Sequence, residues 1–126
     1  MRLQKINPVF VREDHRGLFV EASNGRSWKT ITFGKMKKGA VMGNHYHKKT
    51  NALFFIIKGK VKIDNIDVKS RQTQALSLRD NEGIIFPPFV SHAIHFQESS
   101  FFMLCKSKKY NPKDTDTFDY VVSGKK

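Results

Sequence analysis

Apolar and polar residues alternate with a period of two along almost all of this chain. Short runs rich in β-branched and aromatic residues predict strands at Pro8–Val11, Leu18–Glu21, Lys29–Phe33, Val41–His47 and Leu53–Ile57. The same pattern continues at Lys60–Asp64, Ala75–Leu78, Ile84–Phe86, His92–Phe96 and Phe101–Cys105. Turn residues punctuate these runs at Arg16-Gly17, Asn24-Gly25, Lys38-Gly39, Lys58-Gly59, Asp64-Asn65, Asp80–Gly83 and Glu98–Ser100. No window of about eleven residues carries a helical apolar stripe. About ten short strands without room for crossover helices imply an all-β fold, an antiparallel sandwich or barrel. Neither an internal repeat nor a linker interrupts the pattern, so residues 1–126 read as one domain. After Asn111-Pro112 the chain is polar until Phe118–Val122, a piece able to add an edge strand, make a dimer contact or stay loose.

Length and composition narrow the class. A chain of 126 residues is large enough for a single core without covalent staples. Its one cysteine, Cys105, allows no intrachain disulfide and suits a reducing compartment. The opening Met1–Pro8 lacks the apolar core of a secretory signal, and the longest apolar run, Ala52–Ile57, is too short to span a bilayer. The expectation is a cytoplasmic protein without membrane contact. The formal charge of +12 raises the question of nucleic acid. Yet Lys58, Lys60 and Lys62 alternate along one strand face, and the other basic residues, down to Lys125-Lys126, are scattered. With no basic arm or nucleic-acid motif, the charge reads as a solvated surface, able also to collect a small anion.

The chemistry gathers around His45-Tyr46-His47. On a strand, alternate residues share a face about 7 Å apart, so His45 and His47 point one way and Tyr46 the other. On the strand after Pro87-Pro88, His92 shares its face with Ile94 and Phe96, whereas His95 faces away. His92 can therefore converge on the pair. Three imidazoles facing one interior make either a metal site or an acid/base site.

These residues resemble the cupin motifs. Gly39, His45, His47 and Gly59 fall at the spacings of the first motif, and Gly83, Pro87 and His92 match the second more loosely. The resemblance implies a jelly-roll β-barrel, often dimeric, with the histidines inside. The first motif's glutamate position holds Ala52. Three histidines alone can hold Fe, Zn or Ni through His45, His47 and His92, but the missing carboxylate lowers metal affinity and shifts the balance toward proton chemistry without a cofactor.

Asp14–Glu21, Gly43–Tyr46 and Cys105–Pro112 resemble segments of the dTDP-4-dehydrorhamnose 3,5-epimerases. His45–Gly59 is similar to the dTDP-4-keto-6-deoxyhexose ketoisomerases and to the cupin domain of capsular-polysaccharide UDP-sugar reductases. All three relatives work on nucleotide-activated sugars. The resemblance implies His45 and His47 as the acid/base pair, with Tyr110 as a further proton donor. It implies Arg16, Lys37 and Lys38 as partners of the pyrophosphate, and Tyr46 and His92 in the substrate pocket. The epimerases' lysine aligns with Ala52, their tyrosine acid with Cys105, and the arginine before the motif's glycine with Met42. Those departures favour a ketoisomerase, or a sugar-nucleotide-binding cupin without activity, over a 3,5-epimerase. A homodimer is expected.

Overall fold

The computed structural model describes residues 1–124; the basic pair Lys125-Lys126 lies outside them. Twelve strands form: β1 (Lys5–Ile6), β2 (Phe10–Asp14), β3 (Gly17–Glu21), β4 (Thr30–Met36), β5 (Val41–Tyr46) and β6 (Ala52–Lys58), followed by β7 (Lys60–Asp67), β8 (Thr73–Arg79), β9 (Glu82–Phe86), β10 (Val90–Phe96), β11 (Ser100–Lys106) and β12 (Phe118–Asp119). The ten segments anticipated from alternation are all present, most of them a residue or two longer. Among the described residues no helix is long and apolar enough to cross a membrane.

Two five-stranded antiparallel sheets face each other, one ordered β1-β9-β6-β11-β4 and the other β12-β5-β10-β7-β8. This is a jelly-roll barrel, all-β as expected. Its core lies between the sheets, where Ala52, Phe54 and Ile56 of β6 meet Val61 and Ile63 of β7 and Ile94 and Phe96 of β10. Phe54, Phe86 and Phe96 are fully buried, and each such side chain contributes about 1.5–3 kcal/mol through apolar burial. β6 reads as a continuous apolar run because Leu53 and Phe55, on its outer face, are buried as well.

Two features lie outside the barrel. The β2–β3 hairpin is a separate two-stranded sheet with Phe10, Val11, Leu18 and Phe19 all exposed. After β11 the chain returns as a strap along the second sheet. There β12 pairs with β5 in the register Phe118↔Tyr46 and Asp119↔His45. Of the three readings open for this segment, the edge strand is the one the fold adopts.

Candidate active site

The site begins with an irregularity in β5. Gly43 has φ +100° and Asn44 φ +58°, and the pairing with β10 shifts register between His92 and Ala93. This is a β-bulge, one extra residue that re-aims the strand. Met42 and His45, three positions apart, consequently line the same cavity. The bulge is held from outside by the strap. The Asn44 side chain accepts the Val122 N–H at 2.7 Å and the Ser123 N–H at 3.2 Å, and donates to the Ser123 carbonyl at 3.0 Å.

Beyond the bulge, alternation resumes and His45 and His47 face inward, as the period of two requires. Their ring centroids are 5.4 Å apart, and His92 lies 5.1 Å from His45. His92 stacks on Phe86 at 3.8 Å with the rings 9° from parallel. It is buried, and its Nδ1 has no hydrogen-bond partner. His95 faces away, against Ser123 at 2.7 Å, in the packing role alternation gave it.

Burial, then the fields of His47 and Lys106, pushes the His45 pKa down to about 4; Asp119 opposes them. Burial, then the two neighbouring imidazoles, pushes His92 down to about 3. His47 is lowered chiefly by burial, against the opposing effect of the Asp116 carbonyl. All three rings are therefore neutral near pH 7.

The tautomer of His47 follows from its partner. Its Nδ1 lies 2.6 Å from the Asp116 carbonyl oxygen, which can only accept, so Nδ1 carries the proton and Nε2 keeps its lone pair. Asp116 is itself fixed, its carboxylate accepting from the Lys48 N–H at 2.8 Å, the Lys49 N–H at 3.0 Å and the Thr50 hydroxyl at 2.7 Å. Sequence patterning gave no reason to single out Asp116, because its contacts span more than sixty residues of chain separation.

The histidines line an inner cavity of about 60 Å³ with Met42, Ala52, Phe86 and Lys106. An outer cavity of about 380 Å³ is lined by His47, Lys49, Lys106, Lys108, Lys109 and Tyr110, among others. His47 and Lys106 belong to both and mark the passage between them. Lys106 was read from sequence as one of many scattered charges. Its parity with Phe102 and Leu104 on β11 was the available signal that it points inward.

Other candidate residues lie elsewhere. Tyr110 is 68% exposed, on the wall of the outer cavity and away from the inner one. Tyr46 faces outward and packs against Phe118 at 5.5 Å and Phe89 at 6.1 Å, so it anchors the strap and does not enter the pocket. Lys37 and Lys38 sit in the turn joining β4 to β5, at the end of β5 opposite His45. Arg16 is in the hairpin turn, paired with the Asp14 carboxylate at 2.7 Å in a separate hollow. Cys105 is buried on the outer face of β11, between Ile31 and Leu53 of the flanking strands.

The metal alternative meets an obstacle in the same geometry. Among the described residues no group of three or more His, Cys, Asp or Glu side chains is arranged to hold a metal ion. His92 lies flat on Phe86, and the lysine Lys106 shares the cavity and opposes a bound cation. The three histidines therefore do not fit Fe, Zn or Ni.

Several solved structures share this architecture. A 3,4-ketoisomerase from Helicobacter canadensis is 20% identical over 94% of this chain and 90% of its own, with a TM-score of 0.79. A dTDP-6-deoxy-D-glucose-3,5-epimerase from Legionella pneumophila, solved with dTDP-4-keto-L-rhamnose, is 18% identical over 93% of this chain and 71% of its own, with a TM-score of 0.78. The capsular polysaccharide assembling protein CapF from Staphylococcus aureus is 22% identical over 91% of this chain, with a TM-score of 0.70. This chain spans 35% of the CapF chain. No curated protein sequence matches. At these identities the likeness is one of fold, and it shows the same jelly-roll barrel. The sequence itself matches one family of domains over residues 12–118, most of its length. The chain belongs to the polysaccharide biosynthesis C-terminal domain family.

Proposed function

We propose that the protein is an isomerase or epimerase of a nucleotide-linked 4-keto-sugar, working by proton transfer between carbon and histidine. The observation that carries this reading is the pair of inward, neutral imidazoles in an inner cavity that meets, at His47 and Lys106, a lysine-lined cavity of about 380 Å³. That volume lies within the usual range for small-molecule sites. The lysines suit the diphosphate of a sugar nucleotide, and the inner cavity suits the reacting end of the sugar. Two of the solved structures of this fold, an epimerase and a 3,4-ketoisomerase, were bound to dTDP-4-keto-L-rhamnose and TDP-4-keto-6-deoxyglucose, and the family match points to polysaccharide biosynthesis.

A proton on a ring carbon beside a ketone is acidic because its removal gives an enolate. In this reading His45 takes that proton as the C–H bond breaks and the carbonyl π pair moves to oxygen. His45 then returns a proton to carbon, and His47, through its free Nε2, carries the oxygen proton between neighbouring oxygens. No net redox change occurs, and the reaction needs no cofactor. An anion in the outer cavity offsets the field of Lys106 and raises His45 toward the pH at which a base works best.

Incubation with TDP-4-keto-6-deoxyglucose in deuterated water, followed by NMR, is expected to show deuterium at a ring carbon beside the ketone. His45→Asn is expected to slow that exchange by about 100-fold or more. No exchange by the wild type, with TDP still raising the unfolding temperature, would make this a binding protein and sink the catalytic reading.

The same reading includes a homodimer. Ile31 and Phe33, on the outer face of β4, are 68% and 80% exposed, and the hairpin shows apolar residues on both its faces. A lone two-stranded hairpin is marginal in water, and a second copy would cover both surfaces. Light scattering is expected to give twice the 14.6 kDa chain mass, and Phe33→Asp is expected to give the monomer. A wild-type monomer at about 100 µM, well above the micromolar range of ordinary specific association, would overturn the dimer.

A further inference from the structure

We propose that Lys106 is a catalytic residue, supplying the positive charge that holds the enolate oxygen in the histidine cavity. The proposal rests on the keto-sugar reading and names the group that reading lacks. Carbanion chemistry at neutral pH needs more than a base, because the electron pair released from carbon must come to rest on an oxygen beside a cation or a donor. The inner cavity offers three neutral imidazoles and otherwise mainly apolar walls, and Lys106 is its one formally charged side chain.

The placement of that charge is specific. Lys106 on β11 stands directly across the ladder from Ala52 on β6. Residues facing each other across antiparallel strands have Cβ atoms about 5 Å apart. Both side chains line the inner cavity. The short Ala52 therefore leaves room for a long side chain from the neighbouring strand to enter the same space. The neighbour at position 52 must be small for this to happen, and alanine is small. Lys106 also lowers the pKa of His45, His47 and His92, so its field reaches all three rings. An ammonium here disfavours a bound metal ion and can supply electrophilic stabilisation of a developing oxyanion.

The step balances without a further reactant. The C–H bond breaks toward His45, the electron pair enters the new carbon–carbon double bond, and the carbonyl π pair moves to oxygen. That oxygen is then paired with the Lys106 ammonium. Reprotonation at carbon by the His45 imidazolium reverses the flow and leaves Lys106 unchanged.

The test follows exchange of TDP-4-keto-6-deoxyglucose in deuterated water for wild type, Lys106→Met, Lys106→Ala, and the double variant Lys106→Ala/Ala52→Lys. Lys106→Met is expected to lose about 100-fold in kcat with KM changed by less than about threefold, the pattern of a group used in the transition state. The double variant, which moves the lysine across the ladder into the same cavity, is expected to recover at least about a tenth of the lost rate relative to Lys106→Ala alone. Thermal unfolding of each variant separates loss of charge from loss of fold. Full kcat in Lys106→Met, or a raised KM alone, would overturn the role of Lys106 while leaving the keto-sugar reading intact. So would a folded double variant no faster than Lys106→Ala. Absence of exchange in the wild type would overturn both together.

Discussion

Gly43→Ala is expected to lower folding stability by about 3–4 kcal/mol and to abolish activity in whatever protein remains folded. A Cβ at this position would sit 2.4 Å from the His92 carbonyl oxygen and 3.0 Å from its ring Cδ2. The backbone φ of +100° is strained for any L side chain, so two penalties add. Relief requires either that β10 moves away or that the bulge flattens. The first displaces His92, and the second reverses the parity between Met42 and His45. Urea unfolding checks the stability. Gly25→Ala serves as the control, because its φ is also positive while nothing stands within 4 Å of the added carbon. A Gly43→Ala variant no less stable than that control would show that the close approach to His92 does not constrain the barrel.

Acid is expected to unfold the protein through its histidine cluster. In the folded state His45 titrates near 4 and His92 near 3, against an ordinary value of 6.5. Their folded pKa values are depressed, so between pH 6.5 and about 4 the unfolded chain binds more protons. Stability is complete above about pH 6.5 and is lost as pH falls through that window, by an amount of order 4 kcal/mol for the cluster. That is a large share of the about 5–15 kcal/mol that holds a typical domain together. Chemical unfolding at a series of pH values should show this slope. His92→Leu, which removes the most buried imidazole, should flatten it by up to about half. An unchanged slope in that variant would place the acid sensitivity elsewhere.

The barrel was legible because a period of two survives in nearly every strand, and because inward parity linked His92 to Ile94 and Phe96. The convergence of His45, His47 and His92 followed from parity alone. What could not be read was everything set by chain return. Lys37 and Lys38 are basic and near the histidines in sequence, but β5 runs away from their turn and carries the histidines to its far end. Arg16 sits in the turn of a hairpin that forms a sheet of its own, so no local pattern locates it. The Gly43-Asn44 bulge was hidden because an extra residue breaks the period on which the reading depends. Lys106 was concealed among the 23 basic residues of the chain; parity with Phe102 and Leu104 gave its inward direction, but its place beside Ala52 needed the register of β11 against β6. Tyr46 shows the limit from the other side, since its outward direction was correct but the aromatic cluster it joins depends on the distant strap.

The strap also has a consequence in time. Residues 116–123, which include the short edge strand β12, leave synthesis after β1 to β11, yet they fix the His47 tautomer and clamp the bulge that turns His45 inward. Every residue of the buried core precedes this segment, so the core and the setting of the histidine cavity are encoded in different stretches of the chain. A chain ending before residue 116 would keep all its core side chains and lose the contacts that orient His47 and hold the bulge.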